Sequence, residues 1–290
     1  MDDSDAFFSC LQTFAPKSFR VNTIKAWPEK VRARLESYGF GIKPVKWCDH
    51  AFTSDSLAIG STLEHFLGHI YMQELASMLP PLIAREEIAA ANTVLDGCAA
   101  PGSKTTEIAA LMENQGLIVA NDLDYGRIRA LKFNIEKTGA LNTVITNQDL
   151  RYFPLIPFDL VFIDAPCSAE GTIRKNPEVL DVWNEAKVFG SSGLQKQLIL
   201  RGFDFLPPGG TMIYSTCTFA PEENEAVVDW LLEKRQGVKL EEFALEGFKF
   251  SPTVEEWQVK RFNDEVKKAR RVWPHHNNTD GFFIAKVRKE

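Results

Sequence analysis

The chain has 290 residues, 44% of them hydrophobic and 25% charged, with a formal net charge of −6. Such a composition describes a soluble globular protein with room for one large domain, or for a large and a small one, and excludes a disordered or fibrous chain. The negative charge argues against broad nucleic-acid binding but leaves room for a local basic face, and no apolar run approaches the length that crosses a bilayer.

The first ten residues, MDDSDAFFSC, are acidic and lack the basic region and long apolar core of a signal peptide, so a cytoplasmic location is expected. Over residues 1–72, FRVNTIK reads as a strand, WPEKVRARLESYG as a helix and IKPVKW as a strand, together a small α+β module. The stretch HFLGHIYMQELASMLPPLIA then packs this module against the remainder, residues 73–290.

From Thr93 on, strand-like runs alternate with helical ones. The strands are TVLDG, GLIVAND, NTVIT, FDLVFIDAP, GTMIYS and GFFIAKV. Between them SKTTEIAALMEN, YGRIRALKFNIEKTG, SGLQKQLILRGFDFL and PEENEAVVDWLLEK carry helical spacing, the last opening on Pro221 with three acids in its first turn. Strands separated by helices of this length predict right-handed βαβ units, and so an α/β fold with a mostly parallel sheet and helices on both faces. The unbroken apolar run LVFID suits a strand buried on both sides.

The five cysteines, at 10, 48, 98, 167 and 217, form no CxxC pair and have no histidine at ligand spacing. Reduced thiols are expected, with no zinc site and no disulfide framework.

The sharpest stretch is VLDGCAAPGSKTTEIAALM, where a strand ends at Asp96, a small-residue loop follows and a helix begins near Ser103. Small residues let backbone approach a ligand, and a helix amino terminus favours negative charge. A P-loop is broken by the extra Ser103 before Lys104, and a GxGxxG fingerprint is absent. S-adenosylmethionine is the third reading. Asp122, ending the second strand, is placed for two ribose hydroxyls, and Asp149, after the third, for the adenine amine. Either acid alone also has a blander reading, as a loop cap, which is the weaker of the two. On successive strand ends they follow the logic of class I, Rossmann-like methyltransferases.

The fourth strand ends in DAPC, so Asp164, Pro166 and Cys167 face the methyl group and its acceptor. A DPPY-like aromatic, usual for methylation of exocyclic amines, is missing. The next strand ends in STCT, putting Cys217 at the same edge. One such cysteine is ordinarily a small core residue. Two at a ligand edge beside an acid have a specific use. Carbon 5 of cytosine is too electron-poor to attack a methyl sulfonium, and a thiolate adding at carbon 6 makes it nucleophilic. Charge then builds on N3 and O2, where Asp164 with nearby Lys104 is suited to answer it; a base finally removes the carbon-5 proton.

FRVNTIK, YMQELASMLP, LDGCAAPGSKT, DAPCSAEGT with RKNP, YSTCTFAPEENE and RVWPHHNNTDGFFIAK stand in this order along nearly the whole chain. The sequence thereby resembles the Sun family of RNA cytosine-5 methyltransferases. The resemblance implies that Cys217 attacks and that Cys167 assists release. It also implies that S-adenosylmethionine lies on Cys98, Ala99, Ala100, Pro101, Gly102, Ser103 and Lys104 with Asp122, Arg127, Asp149 and Asp164, and that the amino-terminal module is RNA-recognition-like. Two positions depart from the family pattern: Ser103 and Ala169 each stand where a glycine is usual.

A DNA cytosine-5 methyltransferase would use Cys167 as its nucleophile; the second cysteine and the amino-terminal module favour RNA. A silent RNA-binding assembly factor is opposed by the intact Cys217, Asp164 and loop. Two runs offer phosphate contacts: Lys17, Arg20, Lys25, Lys30, Arg32 and Arg34, and Lys260, Arg261, Lys267, Lys268, Arg270 and Arg271. The GTIRKNP segment, and the absence of an appended carboxyl-terminal RNA-binding domain, point to tRNA ahead of ribosomal RNA. A monomer without metal or membrane contact is expected.

Overall fold

A computed structural model describes residues 3–290. Four strands near the amino terminus, β1 (Lys17–Val21), β2 (Ile42–Val45), β3 (Cys48–Ser54) and β4 (Ile70–Met72), form an antiparallel sheet in the order β2-β3-β1-β4. The helix Pro28–Ser37 packs Val31 and Leu35 on Phe19, Val21 and Phe52 of this sheet. The sequence reading found β1, that helix and β2 but not β3 or β4. Cys48–Ser54 buries Cys48, Ala51, Phe52 and Ser54, a pattern without the strict alternation that marks a half-buried strand, and its pairing with β2 slips between Pro44 and Val45.

The second sheet contains β5 (Thr93–Asp96), β6 (Leu117–Asn121), β7 (Thr143–Thr146), β8 (Leu160–Asp164), β9 (Thr211–Thr216), β10 (Val238–Glu241), β13 (Arg270–Val272) and β14 (Phe282–Lys289); β11 (Glu256–Trp257) and β12 (Lys260–Arg261) make a separate small ribbon. Its order is β10-β14-β9-β8-β5-β6-β7, with β13 also on β14. Strands β5 to β9 are mutually parallel, and β14 runs antiparallel to β9. All the parallel strand ends therefore open at one edge, on either side of the point where the order reverses beside β5, which is where open α/β sheets bind ligands.

Alternation along β8 explains the two core layers. Val161 and Ile163 face the helices Glu185–Asp204 and Glu225–Lys234 through Leu198, Phe203, Val227 and Leu231. Phe162 faces the other side, with Ile108, Leu131 and Ile135 of the helices Ser103–Leu111 and Tyr125–Thr138. Each such side chain removed from water contributes about 1.5–3 kcal/mol. Among the described residues no helix is long and apolar enough to cross a membrane.

The helix expected from Pro221 starts instead at Glu225. The residues before it are held elsewhere: Asn224 bonds Thr216 Oγ1 (2.5 Å) and Thr218 O (2.9 Å), and Glu225 forms a buried pair with Arg271 at 2.6 and 2.5 Å. Local sequence marks a helix start; tertiary hydrogen bonds moved it.

Two buried arginines join the parts. Arg20 on β1 donates to Gln73 Oε1 (2.8 Å), Thr106 Oγ1 (2.6 Å) and Ser103 O (3.2 Å). Arg174 donates to Thr13 O, Thr13 Oγ1, Phe14 O, Asn278 Oδ1 and Thr279 O at 2.7–3.2 Å.

Candidate active site

Strand β5 ends at Asp96, and the chain turns through Gly97 into the loop preceding the helix Ser103–Leu111. Gly97 admits no side chain, since a Cβ would lie 2.7 Å from Leu150 Cδ2. Gly102 has φ 101°, a left-handed value that favours glycine, and a Cβ there would meet Leu131 at 2.9 Å. Backbone bonds Ala99 N to Asn121 O (2.8 Å) and Gly102 N to Ala99 O (2.7 Å) hold the loop. Ser103, one of the two departures, begins the helix with its carbonyl held by Arg20, so the helix starts without a second glycine.

Asp122, just beyond β6, reaches the same loop. Its Oδ2 accepts from Ala100 N at 3.0 Å and its Oδ1 from Asp124 N at 3.0 Å. Arg127 lies 3.6 Å from that carboxylate and donates to Ala100 O. Asp149 is differently placed: its carboxylate takes the backbone N and guanidinium of Arg151 and does not line the cavity described next. Arg151 holds its carboxyl below the usual aspartate range.

A cavity of about 310 Å³ opens at the strand ends, lined by Asp96, the loop Cys98–Pro101, Ser103, Lys104, Arg127, Asp164 and Cys217 and, opposite, by Glu74, Lys175, Asp280 and Phe282. Asp164, ending β8, accepts from Lys104 Nζ on Oδ2 (2.7 Å) and from Ser215 Oγ on Oδ1 (2.7 Å). Lys104 is buried and also lies 5.3 Å from the Phe282 ring centre. Burial alone would weaken its ammonium, but the Asp164 charge and hydrogen bond raise its pKa above the usual lysine value.

Cys217 follows β9 directly, and its Sγ lies 3.3 Å from that of Cys167. Both thiols are free. The hydrogen bond to Cys217, together with burial, pushes the Cys167 thiol well above the ordinary cysteine range. The DAPC loop is fixed from below. Glu223 accepts from Ser168 N (3.1 Å) and from Gln195 Nε2 (2.7 Å), and Gly171 N donates to Cys217 O (2.9 Å). At Gly171 a Cβ would lie 2.3 Å from Gly281 O, so the close approach of three segments requires glycine. Ala169, the other departure, has φ 65°. A glycine is usual there because this backbone is left-handed, and alanine carries the strain, roughly 1–2 kcal/mol.

Three acids at the cavity were not singled out from sequence. Asp96 accepts from Thr105 Oγ1 (2.6 Å) but its buried Oδ1 has no partner, and burial raises its pKa from 3.8 to about 6. Asp280 likewise has a buried, unpartnered Oδ1. Glu74 holds the backbone of Asp280 and Ser77. Their exposure to one cavity is a property of the fold, and no spacing in the sequence carries it.

Of the two basic runs only Arg20 and Arg271 are buried; Lys25 donates to Leu67 O and Lys137 O, Lys260 and Lys267 pair with acids, and Lys17, Lys30, Arg34 and Arg261 are exposed. Lys17 joins Lys43, Lys46 and Lys175 in a groove of about 1000 Å³ between the amino-terminal sheet and the loops at Arg174 and Asn278, with Trp47 and the exposed Phe14. Met72, Gln73, Glu74 and Lys175 line both this groove and the smaller cavity.

Residues 86–288 match the family described as 16S rRNA methyltransferase RsmB/F, and residues 1–75 the N-terminal domain of 16S rRNA methyltransferase RsmF. A tRNA (cytosine(49)-C(5))-methyltransferase of Pyrococcus abyssi is 41% identical over 294 residues, covering 100% of this chain and 93% of the relative. Ribosomal RNA small subunit methyltransferase F of Pectobacterium carotovorum is 36% identical over 299 residues; the match covers 98% of this chain but only 59% of that relative's length. A crystal structure of a methyltransferase homolog protein from Pyrococcus horikoshii superposes with a TM-score of 0.81 at 34% identity, covering 98% of this chain and 90% of the other. With strand order, strand-end residues and these matches in agreement, the chain belongs to the RsmB/F, or Sun, family of RNA cytosine-5 methyltransferases.

Proposed function

We propose that this protein methylates carbon 5 of a cytosine in tRNA, using S-adenosylmethionine and a transient bond between Cys217 and carbon 6 of the ring. The observation that carries the reading is a pair of free thiols 3.3 Å apart, of which Cys217 lines the cavity that also holds Lys104 and Asp164 and Cys167 lies directly behind it.

The cofactor's donor set fits the residues present. The unpartnered Asp96 oxygen suits an ammonium, and the loop Cys98–Pro101 with Ser103 the chain beyond it; Arg127 and Lys104 close the site, and Asp122, beside the cavity with each oxygen accepting one backbone N–H, takes the ribose hydroxyls on its remaining lone pairs. When bound, S-adenosylmethionine supplies an electrophilic methyl sulfonium. Asp149, held by Arg151, reaches an adenine amine only with a lone pair left over from that pairing.

The chain's own part starts with Cys217, whose thiolate adds at carbon 6. Negative charge then develops on N3 and O2, and the Lys104 ammonium, fixed in place by its bond to Asp164, answers it without reorganisation. Cys167, with its raised pKa, stays a thiol and donates to the sulfur of Cys217 as that sulfur departs. Residues 1–72 act as the RNA-binding module and 73–290 as the catalytic domain, with the cationic groove between them seating the strand that carries the target. A tRNA substrate is favoured by the match along nearly all of the Pyrococcus abyssi tRNA enzyme; ribosomal RNA is the second reading, favoured by the family descriptions.

The test is a denaturing gel of enzyme, cofactor and unmodified tRNA or ribosomal RNA transcript. Cys167→Ala should give a slow RNA-dependent band, and Cys167→Ala with Cys217→Ala none. A band that survives in the double variant, or that requires removal of Cys217, refutes the roles. The RNA that forms the band identifies the substrate.

A further inference from the structure

We propose that Asp280 is the base that takes the carbon-5 proton from the methylated ring. The inference rests on the reading above, in which the ring is bound to Cys217.

The sheet brings Asp280 to this place. Strand β14 runs antiparallel beside β9 with Phe283 opposite Thr216, so the residues before Phe282 meet the strand edge where Cys217 emerges. Gly281 N donates to Gly171 O (2.8 Å), and Gly171 N to Cys217 O (2.9 Å), locking the three segments together. Cys217 is thereby flanked by Asp164 from β8 on one side and Asp280 from the start of β14 on the other, and all three line one cavity.

Asp164 accepts from Lys104 and Ser215 on its two oxygens. Glu74 accepts from Asp280 N (2.8 Å) and Ser77 N (3.2 Å). Asp96 also has an open Oδ1, but it ends β5 two strands away from β9, and in the proposed function that oxygen takes the cofactor's ammonium. Asp280 is only 3% exposed and its Oδ1 has no partner. A buried acceptor left open is a standing cost to the fold, which a proton or donor arriving with the substrate would relieve.

The charged groups facing Asp280 are Glu74, Lys175 and Arg174. Arg174 is committed to Thr13, Phe14, Asn278 and Thr279, and Lys175 is exposed. Burial first, and then the Glu74 charge, raises the Asp280 pKa from 3.8 to about 7, the range in which a general base works best near neutrality. Cys167 is a poor alternative, since its thiol is held well above the ordinary range.

In the step itself the C5–H bond breaks and its proton passes to the Asp280 carboxylate. The electron pair becomes the C5–C6 double bond. The C6–S bond breaks, and its pair returns to Cys217 as thiolate beside the Cys167 thiol.

The experiment uses pooled tRNA and ribosomal RNA transcripts with tritium at cytosine C5 and a carbon-14 methyl donor. Asp280→Asn should still attach labelled methyl, in a covalent RNA–protein complex, while tritium release falls by about a hundredfold or more, the usual worth of a general base. Asp280→Glu should restore part of the release. Tritium release by the unaltered enzyme should rise through about pH 7, because only the deprotonated acid accepts. Cys167→Ala should keep that inflection and Asp280→Asn should lose it. Unchanged tritium release in Asp280→Asn, or equal loss of both labels, overturns the proposal. Methyl attachment by Cys217→Ala overturns the nucleophile reading instead.

Discussion

Replacing Asp96 by asparagine tests whether the cofactor side of the cavity is built at the expense of stability. The carboxyl is buried, and burial raises its pKa from 3.8 to about 6. The folded state therefore holds a proton that the unfolded chain has released between roughly pH 4 and pH 6. Stability falls as pH rises through that window and stays lower above it. At 1.36 kcal/mol per unit, a shift of about 2 units makes the penalty about 3 kcal/mol at neutral pH. Asparagine keeps an acceptor for Thr105 Oγ1 and has no charge to desolvate. Urea unfolding without cofactor, at about pH 4 and about pH 8, should show the variant gaining about 3 kcal/mol on the wild type between the two pH values. All other titrating groups are common to both chains and cancel. S-adenosylhomocysteine, whose ammonium fits the open oxygen, should stabilise the wild type more than the variant. Parallel stability curves for the two proteins would refute the reasoning.

Two further substitutions test other features. Ala169→Gly relieves a left-handed alanine at the DAPC loop, and net of glycine's added chain entropy it should raise stability by roughly 0.5–1 kcal/mol in urea titration, with activity retained. Lys43→Ala with Lys46→Ala should weaken tRNA binding by fluorescence anisotropy and flatten its salt dependence by up to about two phosphate contacts, whereas an unchanged slope would remove the groove from the RNA path.

The parallel strands were legible because LVFID is a nearly unbroken apolar run, and TMIYST, rich in β-formers and buried throughout, follows a Pro-Gly turn. Edge strand β10 was not, since VKLE is short and mixed, and its register with β14 is set by residues more than forty positions away. The position of the two strand-end cysteines was readable because DAPC and STCT each place a thiol just past an apolar strand. Asp96 and Asp280 are single acids in ordinary contexts, and what distinguishes them, an oxygen without a partner, exists only once the chain has closed around it. Two members of the basic runs misread for the same reason in reverse: Arg20 and Arg271 look like surface charges until the fold buries them.

The five hydrogen bonds of Arg174 carry a mechanical meaning. From its own loop after Cys167, one side chain grips the segment after the helix Ser4–Leu11 and the turn before β14 at once. Pulling Thr13 and Phe14 away would leave a buried cation short of acceptors, so the amino-terminal end serves as a buttress for the catalytic loop. In the proposed function this means that the module is braced before any substrate arrives, and the reach from the groove to Cys217 acts as a ruler for which nucleotide is turned into the cavity.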